Sequence, residues 1–320
     1  MNILISGSSG LIGTALIERL VANGSSVVRL VRSPDGTAIG GSSKGRCVAW
    51  DPTGGTIDHQ GLTAHGPFDG VVNLAGAGIG DRRWNRARKA SILTSRLDST
   101  RVLVDALSHL DPLPGVLVSA SAIGFYGDRG DERLTEDSRR GTGFLADVCD
   151  AWEQAAAVTG IRVVTLRTGI VLNSEGGALA KQLPLFRLGL GGRLGPGSQY
   201  QSWITLEDEV GAVLHALGDS TLSGPVNATA PHPVTNGEMA RAIGRVMRRP
   251  AVIAVPATAL RLALGREMAD ELVLASQLVL PTRLQGAGYE FRQPWLDLAL
   301  STVLSGAKGE AGPGAGDGAD

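Results

Sequence analysis

The chain begins Met1-Asn-Ile-Leu-Ile-Ser-Gly7-Ser-Ser-Gly10-Leu-Ile-Gly13-Thr-Ala-Leu16, where an apolar run is followed by three spaced glycines and a helical pattern. This arrangement is typical of a dinucleotide site. Gly7 permits the tight exit from the strand, Gly10 lets the backbone approach a pyrophosphate, and Gly13 allows close packing of helix on strand. The helix N-terminus then offers unpaired N–H groups to the phosphates. We therefore predict cofactor contacts along the turn, at Gly7, Ser9, Gly10, Leu11, Ile12 and Gly13.

The end of the second predicted strand indicates which dinucleotide binds. The strand Ser26–Val31 is followed by Arg32, roughly 20 residues beyond the last glycine. An acidic residue there would bind the ribose 2′-hydroxyl of NAD, whereas Arg32 places a cation where NADP carries its extra phosphate. Ser33 adds a hydroxyl donor. We predict NADP(H) as the cofactor, the alternative being that Arg32 is a solvated charge at the end of the strand.

Length, charge and cysteine content limit the class of the protein. The chain has 320 residues, which fits a nucleotide-binding unit with a smaller appended region. A formal net charge of −1 gives no indication of a nucleic-acid or anionic-membrane partner. Cys47 and Cys149 lack metal-ligand spacing, so no metal is expected. No apolar run reaches the roughly 20 residues of a membrane helix, and no signal peptide precedes the first strand, so a cytoplasmic protein without a membrane partner is predicted.

Strands and helices alternate along most of the chain. Short apolar runs at residues 70–74, 115–119 and 161–166 have the length and composition of strands between helical stretches. Such alternation predicts βαβ units and an α/β fold, a Rossmann-type doubly wound parallel sheet with ligands at the carboxyl ends of its strands. A smaller C-terminal α+β region is expected on the substrate side.

The character of the sequence changes after residue 225. Pro231-His-Pro-Val forms a rigid connector, and Thr235-Asn-Gly-Glu238 is a capping box that begins a helix. Within the C-terminal region an amphipathic stretch is expected at residues 257–280. Residues 304–320 are rich in glycine and lack apolar periodicity, which predicts a disordered tail. We predict three parts: a dinucleotide-binding domain at 1–229, a domain at 230–303 that closes the substrate cleft, and the tail.

Several short motifs occur in a family-like order. Together with the three glycines, Asn73-Leu-Ala-Gly76, Phe125-Tyr-Gly127 and Ser202-Trp-Ile-Thr-Leu-Glu-Asp208 resemble the extended short-chain dehydrogenase/reductase superfamily. The resemblance covers most of the chain. A second set is similar to the atypical, epimerase-like branch (the NAD-dependent epimerase/dehydratase family), whose members carry a C-terminal domain of unknown function: Arg83-Trp84, Ser95-Arg96, Ser119-Ala-Ser-Ala-Ile-Gly, Trp152-Glu153 and Leu188-Gly-Leu-Gly-Gly192.

The resemblance implies further cofactor contacts. Leu74, Ala75 and Gly76 would lie over the cofactor, where small side chains let the adenine or ribose approach, the alternative being strand-end packing. Arg96 stands where ordinary members have an asparagine. It could reach the phosphate or the nicotinamide side of the cleft, or else pair within its helix or with solvent. Ser119, at the end of the fifth strand, is also expected to contact the cofactor.

The chain departs from the superfamily at the catalytic residues. Ordinary members use a Tyr-x-x-x-Lys pair, the tyrosine as general acid/base and the lysine to lower its pKa, but the aligned positions here are Leu145 and Cys149. Neither can take over this work. Ser121 matches the serine that polarises the substrate, the alternative being a hydroxyl that caps the strand end. Tyr126 would act as the acid if its hydroxyl faced the nicotinamide, and would otherwise be part of the loop structure.

The leading functional prediction is an NADP(H)-dependent oxidoreductase or epimerase-like enzyme for a small hydroxyl or carbonyl compound, with Ser121 and Tyr126 as candidate catalytic residues. General acid/base catalysis is worth roughly 10² to 10⁴ in rate, so a hydride transfer without it would be slow. The alternative is an NADP(H)-binding regulatory or interaction protein, for example in cell division, that has lost its chemistry.

Two surface features complete the expectations. The basic run at residues 82–89, around Trp84, is expected to be a solvated face. Ordinary members often dimerise through the helices equivalent to residues 86–109 and 144–159. The resemblance therefore implies a homodimer, although polar residues on both helices leave a monomer open.

Overall fold

The elements follow the alternation predicted from the sequence. The computed structural model describes residues 1–32 and 46–306. Within these ranges the strands are β1 (Asn2–Ser6), β2 (Ser26–Val31), β3 (Arg46–Asp51), β4 (Thr56–Ile57), β5 (Gly70–Asn73), β6 (Val116–Ala122), β7 (Arg133–Leu134), β8 (Arg162–Thr168), β9 (Ile170–Leu172), β10 (Gly192–Leu194), β11 (Tyr200–Gln201), β12 (Trp203–Thr205), β13 (Gly224–Ala228), β14 (Val234–Thr235), β15 (Ile253–Val255) and β16 (Leu278–Val279).

The helices of the same ranges are α1 (Leu11–Ala22), α2 (His59–His65), α3 (Arg86–Ser108), α4 (Phe144–Ala155), α5 (Gly177–Arg187), α6 (Leu206–Gly218), α7 (Asn236–Met247), α8 (Ala257–Leu264), α9 (Arg266–Ala269), α10 (Thr282–Gly286) and α11 (Leu296–Gly306). A 3₁₀ turn follows β6 at Ile123–Tyr126, and a π-helical segment follows α9 at Asp270–Leu274.

Eight strands of the described chain form the central sheet, in the order β13-β8-β6-β5-β1-β2-β3-β4. Neighbouring strands are parallel except β3 and β4, which are antiparallel at one edge. From β1 the chain moves outward through β2 to β3, then returns to β5 on the other side. The strand order therefore reverses between β1 and β5, which is where ligands bind in such sheets. The predicted Rossmann-type doubly wound fold is confirmed.

Helices cover both faces of this sheet. Ile3 and Ile5 of β1 belong to one core cluster with Leu16 of α1 and residues of α6. Leu4, between them, belongs to the opposite cluster with Leu103 of α3. Successive side chains of a strand point to opposite faces, so an uninterrupted apolar strand such as Ile3-Leu4-Ile5 requires cover on both sides.

A third core cluster joins segments on both sides of residue 230. Leu183 and Phe186 of α5 and Trp203 of β12 pack with Ile243 of α7 and Leu300 of α11. Strand pairs also cross this position, because β15 pairs with β10, β14 with β11 and β16 with β7. The predicted division into 1–229 and 230–303 thus separates segments that share one core.

Two predicted boundaries in the C-terminal region need correction. The capping box of Thr235 and Glu238 is present at the start of α7. The amphipathic stretch predicted at 257–280 is interrupted by Gly265, whose φ is +88°, and continues as α9, the π-helical segment and β16. Helix α11 extends through Gly306, so the predicted tail does not begin at residue 304. The rest of that tail lies outside the described residues.

No helix within residues 1–32 or 46–306 combines the length and the apolar character needed to cross a membrane.

A chain truncated after residue 229 is expected to be insoluble or molten. Removal of α7 and α11 takes Met239, Ile243 and Leu300 out of the third core cluster and uncovers the apolar side chains of α5 and β12 that they cover. Solubility, near-ultraviolet circular dichroism and dye binding, compared with the full chain, measure the effect. A chain ending at residue 306 is the matched control, since it keeps the whole cluster. A soluble 1–229 fragment that unfolds cooperatively would show that the two regions fold independently.

Candidate functional site

The glycine turn lies at the carboxyl end of β1, against the segment that follows β5. Gly7 has a φ of +70°, and a Cβ on it would lie 2.5 Å from the Leu74 carbonyl carbon. A Cβ on Gly13 would collide with the Gly7 carbonyl oxygen. Among the residues that the structure describes, the Cβ position of Gly10 meets only the Gly7 oxygen, at 3.4 Å, so their packing leaves this part of the turn open. Gly10 is also the N-cap of α1 and provides no side-chain cap, which leaves N–H groups free for an anion.

The other residues predicted for this part of the cofactor site differ in exposure. Ser9 is exposed, whereas Leu11 and Ile12 are half-buried at the start of α1. Arg32 is exposed immediately after β2, at the same edge of the sheet as the turn. Ser33 lies outside the described residues.

A buried polar ladder joins the carboxyl ends of β1, β5 and β6. Ser6 Oγ donates to Asn73 Oδ1 at 2.7 Å, and Asn73 Nδ2 donates to Thr100 Oγ1 at 2.9 Å and to Ser119 Oγ at 3.3 Å. Trp152 Nε1 donates to the same Thr100 hydroxyl at 3.0 Å. All five residues are buried, and the Ser119 hydroxyl is engaged by Asn73 of the neighbouring strand β5. This placement argues against the cofactor contact predicted for Ser119.

Arg96 packs against the segment that follows β5. A Cβ on Gly76 would lie 3.2 Å from Arg96 Cγ and Cζ, and Arg96 Nη1 donates to the carbonyl oxygens of Ala77 and Ile92, each at 3.0 Å. The guanidinium lies 4.9 Å from the centre of the Trp152 ring. Burial lowers the pKa of Arg96 from its usual value. No carboxylate of the described chain lies within ion-pair distance, so Arg96 is a half-buried cation without an acidic partner.

A cavity of about 160 Å³ lies between the carboxyl ends of β6 and β8, helix α4 and the C-terminal region. Leu145 and Cys149, at the aligned positions of the missing catalytic pair, both line it. Its wall is mostly apolar but also carries these polar side chains: Arg96, Cys149, Thr168, Tyr200, Gln201, Ser202, Glu271 and Gln277. Such a lining is typical of a small-molecule site.

Cys149 is unsuited to act as a nucleophile or base. Its thiol is buried beside Gly124, and burial, assisted by the nearby Glu153 carboxylate, raises its pKa to about 11. Reactivity of a cysteine requires the thiolate, so Cys149 is unreactive at neutral pH.

Ser121 and Tyr126 belong to one buried polar network. Ser121 Oγ donates to Glu153 Oε1 at 2.7 Å, and Arg167 holds both oxygens of that carboxylate at 2.8 Å. Arg167 Nη1 donates to the Tyr126 hydroxyl at 3.0 Å, which in turn donates to Asn227 Oδ1 at 2.7 Å. Tyr126 is fully buried, and burial raises its pKa.

This network distinguishes between a catalytic and a structural role for the hydroxyl groups of Tyr126 and Ser121. The Tyr126 proton is committed to Asn227, and Tyr126 is not among the residues that line the cavity. Its placement argues against the predicted role as catalytic acid and assigns it to the structure of the turn. Ser121 is also buried, next to the cavity-lining Ala122, and its proton is held by Glu153.

Two acidic residues lie outside the motifs: Glu271 lines the cavity, and Glu209 contacts the cavity-lining residue Thr168. Glu271, in the π-helical segment, accepts hydrogen bonds from the backbone N–H groups of Phe144 at 2.9 Å and Leu145 at 2.8 Å. It therefore caps α4, whose N-cap Gly143 has no side chain to do so. Glu271 could not be identified from the sequence, because the 3.6-residue periodicity of an α-helix does not apply in a π-helical segment.

Glu209 of α6 is the second such residue. Its side chain is buried, Oε1 accepts a 2.8 Å hydrogen bond from Thr168 Oγ1, and Oε2 has no hydrogen-bond partner among the described residues. Burial raises the pKa of Glu209 to about 7. One signal was available in the sequence: Glu209 stands four and seven residues before Val213 and Ala216, on the apolar stripe of the helix.

The basic run is only partly solvated. Lys89 Nζ forms a 2.5 Å ion pair with Glu267 of α9 and lies 4.7 Å from the centre of the Phe144 ring. Trp84 packs edge to face on the same ring and donates from Nε1 to the Ile79 carbonyl oxygen at 2.9 Å. Trp84 thereby ties the loop before α3 to α4, and Lys89 ties α3 to the C-terminal region. Arg82, Arg83 and Arg86 are exposed as expected, so the prediction of a solvated face fails only for the half-buried Trp84, Arg88 and Lys89.

Comparison with known proteins adds the family. The NAD dependent epimerase/dehydratase family matches residues 3–227, and a domain of unknown function, DUF1731, matches residues 255–303. An epimerase family protein of Mycobacterium bovis is 44% identical over 301 residues, 93% of this chain and 96% of that protein.

Two solved structures share the fold at similar identity. The human epimerase family protein SDR39U1, solved with NADPH, is 33% identical with a TM-score of 0.85, and the match covers 95% of this chain and 99% of that one. A nucleoside-diphosphate sugar epimerase from Corynebacterium glutamicum is 34% identical with a TM-score of 0.74, covering 95% of this chain and 58% of that one. Because these matches extend over nearly the whole chain, it belongs to the NAD dependent epimerase/dehydratase family, with a C-terminal DUF1731 domain.

Proposed function

We propose that the chain binds NADP(H) at the glycine turn and acts as an oxidoreductase or epimerase-like enzyme on a small hydroxyl or carbonyl compound in the cavity. The observation that carries the proposal is the open cradle at Gly10, which the close contacts of Gly7 and Gly13 shape and to which the uncapped end of α1 points. The NADPH in the structure of the human relative supports the choice of cofactor.

The chain has residues suited to each part of this cofactor. The backbone from Ser9 to Gly13 would hold the pyrophosphate, Arg32 the 2′-phosphate, and Leu74 and Ala75 the adenosine side. When bound, NADPH supplies a hydride to a carbon of the substrate.

Other side chains would prepare the substrate. Arg96 can polarise a substrate oxygen, because its guanidinium lines the cavity and has no acidic partner in the described chain. The walls formed by Ile123, Leu145 and Ile170 exclude water, which strengthens that interaction. Ser121 stays a candidate for substrate contact, provided that Glu153 releases its hydroxyl.

The alternative is an NADP(H)-binding regulatory protein. It is favoured by the residues at the aligned catalytic positions, since Leu145 has no proton to transfer and burial keeps the Cys149 thiol protonated. None of the three tyrosines in the sequence is followed four residues later by a lysine. NADPH that binds but is not oxidised by any aldehyde, ketone or nucleotide sugar of a broad panel would favour this alternative.

The Arg32→Asp variant is expected to prefer NADH over NADPH. The substitution removes a charge-assisted contact worth about 1.5 to 3 kcal/mol, roughly a ten- to hundredfold loss of NADPH affinity, and repels the 2′-phosphate. Fluorescence titration with both nucleotides measures the preference. Arg101→Asp, at an exposed arginine of α3, is the control for net charge. Equal affinity of the unmodified chain for NADPH and NADH would contradict the assignment.

The Arg96→Gln variant is expected to lose about 10² to 10³ in kcat/KM while its NADPH affinity stays within a few-fold, because one preorganised donor is removed from the substrate oxygen. The measurement is NADPH oxidation with a panel of aldehydes, ketones and nucleotide sugars. Arg101→Gln on the same helix controls for charge. If NADPH affinity falls as much as kcat/KM, Arg96 belongs to the cofactor site instead.

The Tyr126→Phe variant is expected to lose about 1 to 3 kcal/mol of stability, because Asn227 Oδ1 and an Arg167 N–H lose their partner in a buried network. Its turnover should stay within a few-fold of the parent. Urea unfolding and NADPH oxidation provide the two measurements. An unchanged stability with a hundredfold loss of turnover would restore Tyr126 as the acid.

A further inference from the structure

We propose that Thr168 exchanges a proton with the substrate oxygen and that Glu209 stores this proton. The proposal rests on the proposed enzymatic function and supplies the acid/base group that Leu145 and Cys149 cannot provide. Thr168 would be the catalytic residue, and Glu209 would act through it.

Thr168 connects the cavity to the interior. It is the last residue of β8, and both Thr168 and the next residue, Gly169, line the cavity. Its hydroxyl donates to Glu209 Oε1 at 2.8 Å. The preceding residue, Arg167, binds Glu153, and neighbouring strand residues point to opposite faces. Strand β8 thus directs the Arg167 side chain toward α4, on one face of the sheet, and the Thr168 hydroxyl toward α6, on the other face.

Glu209 is a buried carboxyl group with an unsatisfied oxygen. It is 1% exposed, and Oε2 has no hydrogen-bond partner in the described chain. A buried carboxylate with one hydrogen bond and no counter-ion is costly, and such a group in a native structure calls for an explanation. Thr168 is the sole hydrogen-bond partner found for its side chain within residues 1–32 and 46–306.

The charged and titratable groups around Glu209 do not compensate it. On α6, the Asp208 carboxylate is occupied by the Tyr289 hydroxyl and by the backbone N–H groups of Arg292 and Gln293. Tyr289, whose own pKa is raised by burial, is therefore committed to Asp208.

The cations of the elements packed on α6 are engaged elsewhere. Arg19 of α1 pairs with Glu207 at the surface, Arg162 of β8 donates to carbonyl oxygens at the far end of α6, and Arg167 holds Glu153. Burial then dominates and raises the pKa of Glu209 to about 7, so that both protonation states are accessible near neutral pH.

The protonation state of Glu209 decides what Thr168 offers to the cavity. With an ionised Glu209, the hydroxyl proton points to the carboxylate and the Thr168 oxygen can accept a proton. With a neutral Glu209, the carboxyl group donates to Thr168, whose own proton becomes available to the cavity.

In the oxidative direction the O–H bond of the substrate hydroxyl breaks and its proton passes to Thr168, while the Thr168 proton passes to the Glu209 carboxylate. Bound oxidised NADP would accept the C–H electron pair with its hydrogen as a hydride, which would leave the substrate as a carbonyl. Reduction runs through the same transfers in reverse. Thr168 is neutral before and after either reaction.

The first test is a carboxyl titration of the full chain without cofactor. Glutamate is labelled with ¹³C at the side-chain carboxyl, and Glu209→Gln identifies the Glu209 signal by NMR. We expect a titration near pH 7, and Thr168→Val should shift it upward because the hydroxyl stabilises the carboxylate. Thr165→Val, at a buried threonine of the same strand, is the matched control. A Glu209 signal with an ordinary glutamate pKa, or one that ignores Thr168→Val, overturns the proposal.

The second test is the pH profile of NADPH oxidation with the same carbonyl panel. Reduction requires the protonated form of Glu209, so kcat/KM should fall as the pH rises through about 7. Glu209→Gln and Thr168→Val should lose this ionisation together with about 10² to 10⁴ in kcat/KM, whereas Thr168→Ser should recover much of the loss. A retained ionisation in Glu209→Gln, or unchanged rates in both variants, overturns the proposal while the enzymatic function stands.

Protein stability and NADPH binding distinguish a failure of the relay from a folding defect and from a failure of the proposed enzymatic function. Because the native pKa of Glu209 is raised, the parent loses stability as the pH rises from the ordinary glutamate pKa to about 7, so Glu209→Gln should be at least as stable as the parent at about pH 8. If the parent binds NADPH but oxidises it with no panel member at any pH, the enzymatic proposal fails and the relay fails with it.

Discussion

The buried ion pair between Arg167 and Glu153 is the interaction on which the cavity wall depends. The guanidinium binds both carboxylate oxygens at 2.8 Å and lies 3.5 Å from the centre of the Phe125 ring. Both charges have lost much of their hydration, so loss of either partner from such a pair typically costs about 3 to 5 kcal/mol. Because Arg167 comes from β8 and Glu153 from α4, the pair fixes the side of α4 that carries Leu145 and Cys149.

Carboxylates from distant segments complete the enclosure. Glu136 accepts hydrogen bonds from the backbone N–H groups of Asn227 at 3.1 Å and Arg283 at 3.0 Å, which attaches the segment after β16 to the edge of the sheet. Glu271 performs the same task at the start of α4. Charge-assisted bonds of this kind are directional, so the cavity receives a fixed geometry in addition to its apolar packing. Fixed dipoles and charges stabilise developing charge without the reorganisation that solvent would require.

The parts of the site that sequence could predict are local ones. The roles of Gly7 and Gly13 follow from a turn of a few residues, and the doubly wound parallel sheet follows from alternating elements. Tyr126 is different, because its role depends on Asn227, which is 101 residues away in the chain. The same holds for Glu209, which stands in the acidic sequence Glu-Asp-Glu at the start of α6 and looks like an ordinary favourable charge near a helix N-terminus. Its position on the apolar stripe of α6 and its contact with Thr168 show that Glu209 is instead a buried side chain.

The shared third cluster also has a consequence for synthesis on the ribosome. The last strand of the central sheet, β13, ends at Ala228, so all strands of that sheet can assemble before the remainder of the chain is made. Phe186 and Trp203 become fully buried only after Leu300 has been synthesised and has packed in the same cluster. During that interval the nascent chain exposes an aggregation-prone apolar surface next to an almost complete central sheet. Chaperones bind intermediates of this kind. Because late residues such as Glu271 line the cavity, its wall is complete only after the C-terminal region has been made, whereas the glycine turn is made first.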